Sequence, residues 1–241
     1  METGYVWCLT RFLMDRLNVL PDYCFLSLEH QIDFMNSQSL LQHIMRLNAI
    51  ADIGLLYCNN EFDRERYSEL KEMSRRMLAE LTGAGDEVVA ELFPPVKDYP
   101  TVKVDIRALV FSPDHRILLV QESADGKWSL PGGWAEIGSS PKENIIREVK
   151  EETGLDVNVN RLLAVFDKSK HPHPPKPFYI YKMVFRCETL SGDLRKGHDV
   201  LDASFFSLHE LPPLSEDRIL ASQIELTYRK TLENDFSVYV D

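Results

Sequence analysis

Three glutamates, Glu148, Glu151 and Glu152, stand three and four residues apart in the segment Arg147-Glu148-Val149-Lys150-Glu151-Glu152-Thr153-Gly154-Leu155. On a helix this spacing brings all three carboxylates to one side, where each like-charge pair costs about 0.2–0.5 kcal/mol. Hard cations such as Mg²⁺ or Mn²⁺ prefer oxygen ligands and convert such repulsion into coordination. A charge run by itself usually means a solvated helix face, so the surroundings must decide. Here Leu130-Pro131-Gly132-Gly133-Trp134 comes first, and a glycine pair lets backbone approach a metal or a phosphate closely. Arg147 lies one turn from Glu143 and can pair with it while orienting Glu148.

The helix that must carry these groups is specified at both ends. Ser140 and Glu143 have capping-box spacing, Pro141 takes the first helical position and Gly154 supplies the stop. Ile145, Ile146 and Val149 give it a face to bury. Residues 133–155 therefore read as a loop–helix–loop with an acidic working side.

Gly133, Arg147, Glu148, Glu151, Glu152, Gly154 and Leu155 match the signature of the Nudix hydrolases, and the resemblance extends over about 100–241. It implies an α/β/α sandwich with a mixed sheet. It further implies Glu148, Glu151 and Glu152 as metal ligands, with the Gly132 carbonyl joining them, and Mg²⁺ or Mn²⁺ as cofactor. The family's usual reaction is attack of water on a pyrophosphate phosphorus, assisted by metals. Arg147 would orient the site, and the base is open between Glu148, Glu151 and Asp199. One position departs from the signature: the family's first glutamate, six residues after Gly133, is Ser139 here. Glu136 or Glu143 could compensate. A second resemblance lies upstream, in Ile50–Tyr57 and in Phe62-Asp63-Arg64-Glu65-Arg66-Tyr67. These segments look like the helical N-terminal domain of bacterial Nudix enzymes similar to CDP-choline and ADP-ribose pyrophosphatases, which tend to be dimers. That resemblance spans about 38–95.

Substrate contacts are expected from the Pro-rich stretch holding Lys168, Lys170, His171, His173 and Lys176. Lys168 and His171 are best placed, because the same subfamily resembles them there. Gly133 and Trp134 are further candidates, whereas Trp128 suits the core. Asp199 and Asp202 precede a strand at 203–206, where other family members often carry another acid.

The flanking pattern supplies the scaffold. From Ser37, Leu40, Leu41, Ile44, Leu47, Ala51 and Leu55 recur at helical steps. Asp63 then caps a second helix with Tyr67, Leu70, Met73, Met77, Leu78 and Leu81 on its apolar face, and a short helix covers 86–92. After the linker Phe93–Pro100 the period becomes two: Val102, Val104 and Ile106 alternate with Lys103, Asp105 and Arg107, as in a half-buried strand. Ser112-Pro113-Asp114 turns the chain, and Ile117–Val120 is expected to pair back on that strand. More strands are expected near 128–130, 157–166, 178–187 and 203–207, with helices at 141–153 and 215–230. The fold class is α/β, a mixed-sheet sandwich at 100–241 preceded by an all-helical domain at 37–95. Residues 1–36 read as an extension, in which Met35 is the natural start or a real N-terminal helix precedes it.

A formal net charge of -11, from 38 acidic against 27 basic residues, repels phosphate backbones and argues against DNA. A small nucleotide remains compatible, since a divalent cation reverses the local sign. Four scattered cysteines without a CxxC pair favour a reducing cytoplasm over a disulfide framework or zinc. No apolar run approaches the roughly 18 residues that span a bilayer. The expected activity is hydrolysis of a nucleoside diphosphate linked to X, of the ADP-ribose or CDP-choline type, giving a nucleoside monophosphate and phospho-X, by a homodimer. Non-catalytic nucleotide sensing and RNA processing are the alternatives; loss of the metal carboxylates would favour sensing, and all three are present.

Overall fold

A computed structural model describes the backbone from Leu28 to Asp241 and the side chains from Ser37 onward, Asp86 excepted. Expectations for residues 1–27 lie outside the described residues. The chain divides into two compact units, one comprising the described residues up to Thr101 with Pro175–Phe178, the other Val102–Pro174 with Tyr179–Asp241.

The first unit is helical: α1 (Leu28–Tyr57), α2 (Glu61–Thr82) and α3 (Asp86–Leu92). α1 begins nine residues ahead of Ser37, so Met35 lies within it. Asn60 rather than Asp63 caps α2, its side chain accepting from the Asp63 backbone N–H at 2.8 Å. The helix ends where Gly83 enters the left-handed region at φ 67°. Leu41, Ile44, Met45, Ala51, Leu78, Val89 and Phe93 form the core. A buried ion pair, Lys71 Nζ to Asp52 at 2.6 Å, ties α2 to α1, and Asn48 donates to the other Asp52 oxygen at 2.9 Å.

Close approach of these helices depends on Gly54, where an added Cβ would lie 2.3 Å from the Tyr67 ring. Overpacking of this kind costs about 1–3 kcal/mol. Gly54→Ala should therefore lower the melting temperature of the full chain by several degrees, read by calorimetry. An unshifted melting temperature would show that the ring moves aside freely.

The second unit carries β1 (Lys103–Val110), β2 (Ile117–Glu122), β3 (Trp128–Ser129), α4 (Pro141–Thr153), β4 (Asp156–Asp167), β5 (Ile180–Ser191), β6 (Val200–Phe206), α5 (Ala221–Leu232) and β7 (Tyr239–Val240). One sheet has the order β1-β5-β4-β7 and the other β3-β2-β6. The expected pairing of Ile117–Val120 on β1 is corrected. β1 pairs in parallel with β5, and β2 pairs antiparallel with β3 and β6. Only the bridge Phe111–Ile117 remains at the turn. Local turn signals made a hairpin the simplest reading; the long-range partners β5 and β6 bury more of each strand and decide otherwise.

Two apolar clusters flank the sheets. Ile145 and Val149 of α4 pack with Ile106, Val110, Leu118, Val157, Phe185 and Cys187. Ile224 of α5 packs with Leu109, Leu119, Leu163, Phe166 and Val184. α5 starts later than expected, at Ala221, because the chain from Ser215 to Ile219 forms a turn closed by the Ser215 carbonyl. The result is the mixed α/β sandwich with a helical unit before it.

Candidate functional site

The glycine loop is held as an added strand on the free edge of β1. Ile106 N–H donates to the Gly133 carbonyl at 2.8 Å, Ala108 N–H to that of Pro131 at 2.8 Å, and Ala135 N–H to that of Val104 at 2.9 Å. Gly132 sits at φ 136°, where side chains are strained, and an added Cβ would lie 2.1 Å from the Ile106 carbonyl oxygen. Its N–H donates to Glu152 Oε2 at 2.9 Å. At Gly133 an added Cβ would lie 3.2 Å from Glu148 Oε2. Backbone and two carboxylates thus meet at the glycine pair, where Gly132 admits no side chain and Gly133 leaves little space.

α4 presents those carboxylates as its ends require. The Ser140–Glu143 capping box forms, Pro141 opens the helix and Gly154 closes it at φ 74°. Glu143 is committed to that cap, so the expected Arg147–Glu143 pair is replaced. Arg147 meets Glu136 at 3.0 Å, Glu148 at 3.3 Å and Glu151 at 3.6 Å. Buried Asn144 joins them, accepting from Arg147 at 3.0 Å while donating to the carbonyls of Glu136, Ser139 and Ser140. Ser139 itself is exposed, and the acid nearest the helix from this loop is Glu136.

Burial raises the pKa of Glu148, an effect Arg147 opposes and Glu151 adds to. Burial pushes Glu152 up to about 8 against the charge of Arg107 and the Gly132 N–H. Two desolvated carboxylates beside open backbone are a hard-oxygen donor set that a divalent cation would keep ionised. Glu151 is placed differently: its carboxylate is exposed and turned toward Arg147. Among the described residues no three His, Cys, Asp or Glu side chains are gathered around one point for a metal. Glu148 and Glu152 bring oxygen donors to the Gly132-Gly133 backbone, a chemistry that suits a hard divalent cation, whereas Glu151 lies outside that pair.

The remaining candidates are spread out. Asp199 is exposed just ahead of β6, and among the described residues no hydrogen bond or ion pair joins it to the three glutamates. Lys168 is buried against Asp217 at 2.5 Å. His171 is half-buried, its Nε2 2.9 Å from Asp241. Trp134 is exposed with Lys103 Nζ 5.5 Å from its ring centre. Trp128 packs edge-on against Phe206 at 4.7 Å.

Period-two reading of β1 missed the charged groups behind the loop. Asp105 and Arg107 are buried, not solvated. Arg107 binds Asp105 at 2.9 Å and the Leu130 carbonyl at 3.0 Å, and lies 3.6 Å from Glu122, which Arg218 also meets at 2.9 Å. Buried Lys182 on β5 bonds the other Asp105 oxygen. The carboxylates of Asp105 and Glu122 outweigh the burial that would lower the Arg107 pKa and raise it instead. A lysine amid the apolar run Ile180–Cys187 was the available signal.

A second glycine seats the far end of α4. Gly197 N–H donates to the Glu152 carbonyl at 2.9 Å, Arg195 N–H donates to that of Thr153 at 2.9 Å, and a Cβ at 197 would lie 1.9 Å from the Glu151 carbonyl oxygen. Gly197→Ala should push the 193–199 loop off the helix end. Activity should fall at least tenfold, about 1.4 kcal/mol, with faster amide exchange at 195–197. Wild-type rate and protection together would refute this.

Comparison with known proteins finds a match to the NUDIX domain over residues 101–226 and to the UDP-X-like, N-terminal oligomerisation domain over 38–93. YjhB of Bacillus subtilis, provisionally named an ADP-ribose pyrophosphatase, is 44% identical over 188 residues, 78% of this chain and 90% of that protein. The crystal structure of an ADP-ribose pyrophosphatase from Streptococcus suis is 40% identical with a TM-score of 0.53, covering 58% of this chain and all of that one. That of a UDP-X diphosphatase is 36% identical with a TM-score of 0.55, covering 85% and 99%.

Proposed function

This chain belongs to the Nudix hydrolase family, and within it we propose that the enzyme hydrolyses the pyrophosphate of a nucleoside diphosphate linked to X, of the ADP-ribose or CDP-choline type. The products would be a nucleoside monophosphate and phospho-X. One observation carries the reading: the Glu148 and Glu152 carboxylates converge on the Gly132-Gly133 backbone. The 44% identical relative named for ADP-ribose supports that substrate type.

Glu148 and Glu152 would hold Mg²⁺ or Mn²⁺, with Glu151 and the Gly132 carbonyl completing the set. Such a cation, when bound, lowers the pKa of water and offsets charge on the phosphoryl oxygens. Arg147 fixes Glu148 and keeps Glu151 within reach, because it pairs with both. Glu148, Glu151 and Asp199 are the candidates to take the proton from the attacking water. Gly133 would line the phosphate path, Trp134 would offer its exposed ring to the substrate, and Lys168 and His171 would bear on the distal group. The exposed Leu40, Ile50, Tyr57, Phe62 and Met73 of the helical unit, together with the match to an oligomerisation domain, support a homodimer. Scattered cysteines suit a cytoplasmic setting; among the described residues no helix is long and apolar enough to cross a membrane.

The test is release of monophosphate from CDP-choline, ADP-ribose and NADH with Mg²⁺ or Mn²⁺, and with neither. Cation-dependent turnover of at least one is expected. Inactivity on all three, or full activity in EDTA, would overturn the proposal.

A further inference from the structure

Buried Arg107 stands where the chain crosses from one sheet to the other. Its own strand β1 lies in the first sheet, whereas β2 and β3 belong to the second. The guanidinium reaches both. Nε and Nη2 donate to Asp105 Oδ1 at 3.0 and 2.9 Å, and Nη1 donates to the Leu130 carbonyl at 3.0 Å. Nη1 also donates to Ser129 Oγ on β3 at 3.3 Å and lies 3.6 Å from Glu122 on β2. A planar fork gripped along one edge by a carboxylate has a fixed orientation, so its other edge is aimed.

That edge points at the start of the glycine loop. Leu130 is fully buried and directly precedes Pro131-Gly132-Gly133. Upstream of it, β3 pairs with β2; downstream, Pro131 and Gly133 accept from Ala108 and Ile106 of β1. Leu130 is therefore the joint between two pairings, and Arg107 holds its carbonyl. The Arg107 backbone also underlies the loop, its Cα 3.0 Å from the place a Cβ on Gly132 would take. Gly132 N–H in turn donates to Glu152. An unbroken series of contacts thus runs from the guanidinium through the loop to a site carboxylate.

We infer that Arg107 is a positioning residue whose fork fixes the Leu130 carbonyl, and with it the glycine loop that sets Glu152 for its cation. The inference rests on reading Glu148 and Glu152 as the metal carboxylates. Charge alone is the competing account, since Arg107 is near enough to Glu152 to oppose the effect of burial on that carboxyl. A lysine at this position keeps the charge but has no fork to span Asp105 and Leu130 together, which separates the two accounts.

Titration of the metal-free full chain with Mn²⁺, followed by water-proton relaxation, tests this without turnover, alongside amide exchange at Ile106, Ala108 and Gly132. In both Arg107→Met and Arg107→Lys, Mn²⁺ affinity should fall roughly tenfold or more, and the three amides should exchange faster than in wild type. Lys182→Met is the control. It takes the other cation from Asp105, the one group Lys182 hydrogen-bonds among the described residues, and should melt earlier while keeping wild-type Mn²⁺ affinity. Wild-type affinity in Arg107→Met would overturn the inference, and so would affinity lost without faster exchange, because the loop would not then carry the effect. An equal loss in Lys182→Met would also overturn it, marking a general disturbance of the buried charges. Arg107→Lys with wild-type affinity would overturn it by assigning the effect to charge. Should Arg107→Met not fold, Arg107→Lys decides on the same two readings. A wild type that binds no Mn²⁺ sinks the metal reading and this inference together; one that binds it but is indifferent at 107 sinks this inference alone.

Discussion

Replacing Gly132 by alanine is expected to reduce kcat/KM by roughly a hundredfold or more, about 2.7 kcal/mol of transition-state stabilisation. Two independent features act there. The backbone at φ 136° is one that side chains rarely adopt, and the new methyl would lie 2.1 Å from the Ile106 carbonyl oxygen. Backbone cannot yield as a flexible side chain does, so the loop must leave the edge of β1. The hydrogen bonds from Ile106 and Ala108 then lengthen, and Glu152 loses the Gly132 N–H that holds it. Catalytic geometry tolerates little such movement; a misplacement near 1 Å costs on the order of a hundredfold. Gly126→Ala is the control, since its φ of 70° carries similar backbone strain but an added Cβ meets nothing within 4 Å. It should cost about 1–3 kcal/mol of stability and leave kcat/KM unchanged. Equal activity of the two variants would mean that the glycine loop does not position the site.

The second large effect is expected at Glu152. Glu152→Gln should abolish measurable turnover while the metal-free protein melts at or above the wild-type temperature. Burial pushes this carboxyl up to about 8, so near neutrality the metal-free fold already favours its uncharged form, and an amide of the same shape costs it nothing. The Gly132 N–H retains an acceptor in the amide oxygen. What the amide lacks is the negative charge that would hold a divalent cation, so added Mg²⁺ or Mn²⁺ should raise the melting temperature of wild type but not of the variant. A folded, active Glu152→Gln protein would remove Glu152 from the proposed metal set.

Much of this is legible in the sequence because it is local. The α4 ends follow from Ser140, Pro141, Glu143 and Gly154, residues whose backbone and side-chain preferences act within one turn. The positions of most strands followed from apolar runs and turn residues. Other readings failed where distant partners compete. Arg147 turned to Glu136, Glu148 and Glu151 because Glu143 was consumed by the cap. Asp105 and Arg107 looked like the wet side of β1, yet Lys182 and Glu122 come from other strands to neutralise them in the interior.

The acidic helix and the glycine pair, with the family they mark, were determined by the sequence itself, since each depends on short-range spacing. Which carboxylates face inward was decided only by tertiary structure. Helical spacing put Glu148, Glu151 and Glu152 on one side, but the edge of β1 holds the glycine loop over Glu148 and Glu152 and leaves Glu151 in solvent with Arg147. Tertiary structure likewise decided that His173 is buried with one nitrogen occupied and the other free. A residue's type states what bonds it can make; only the arrival of segments distant in the chain decides which of them are made.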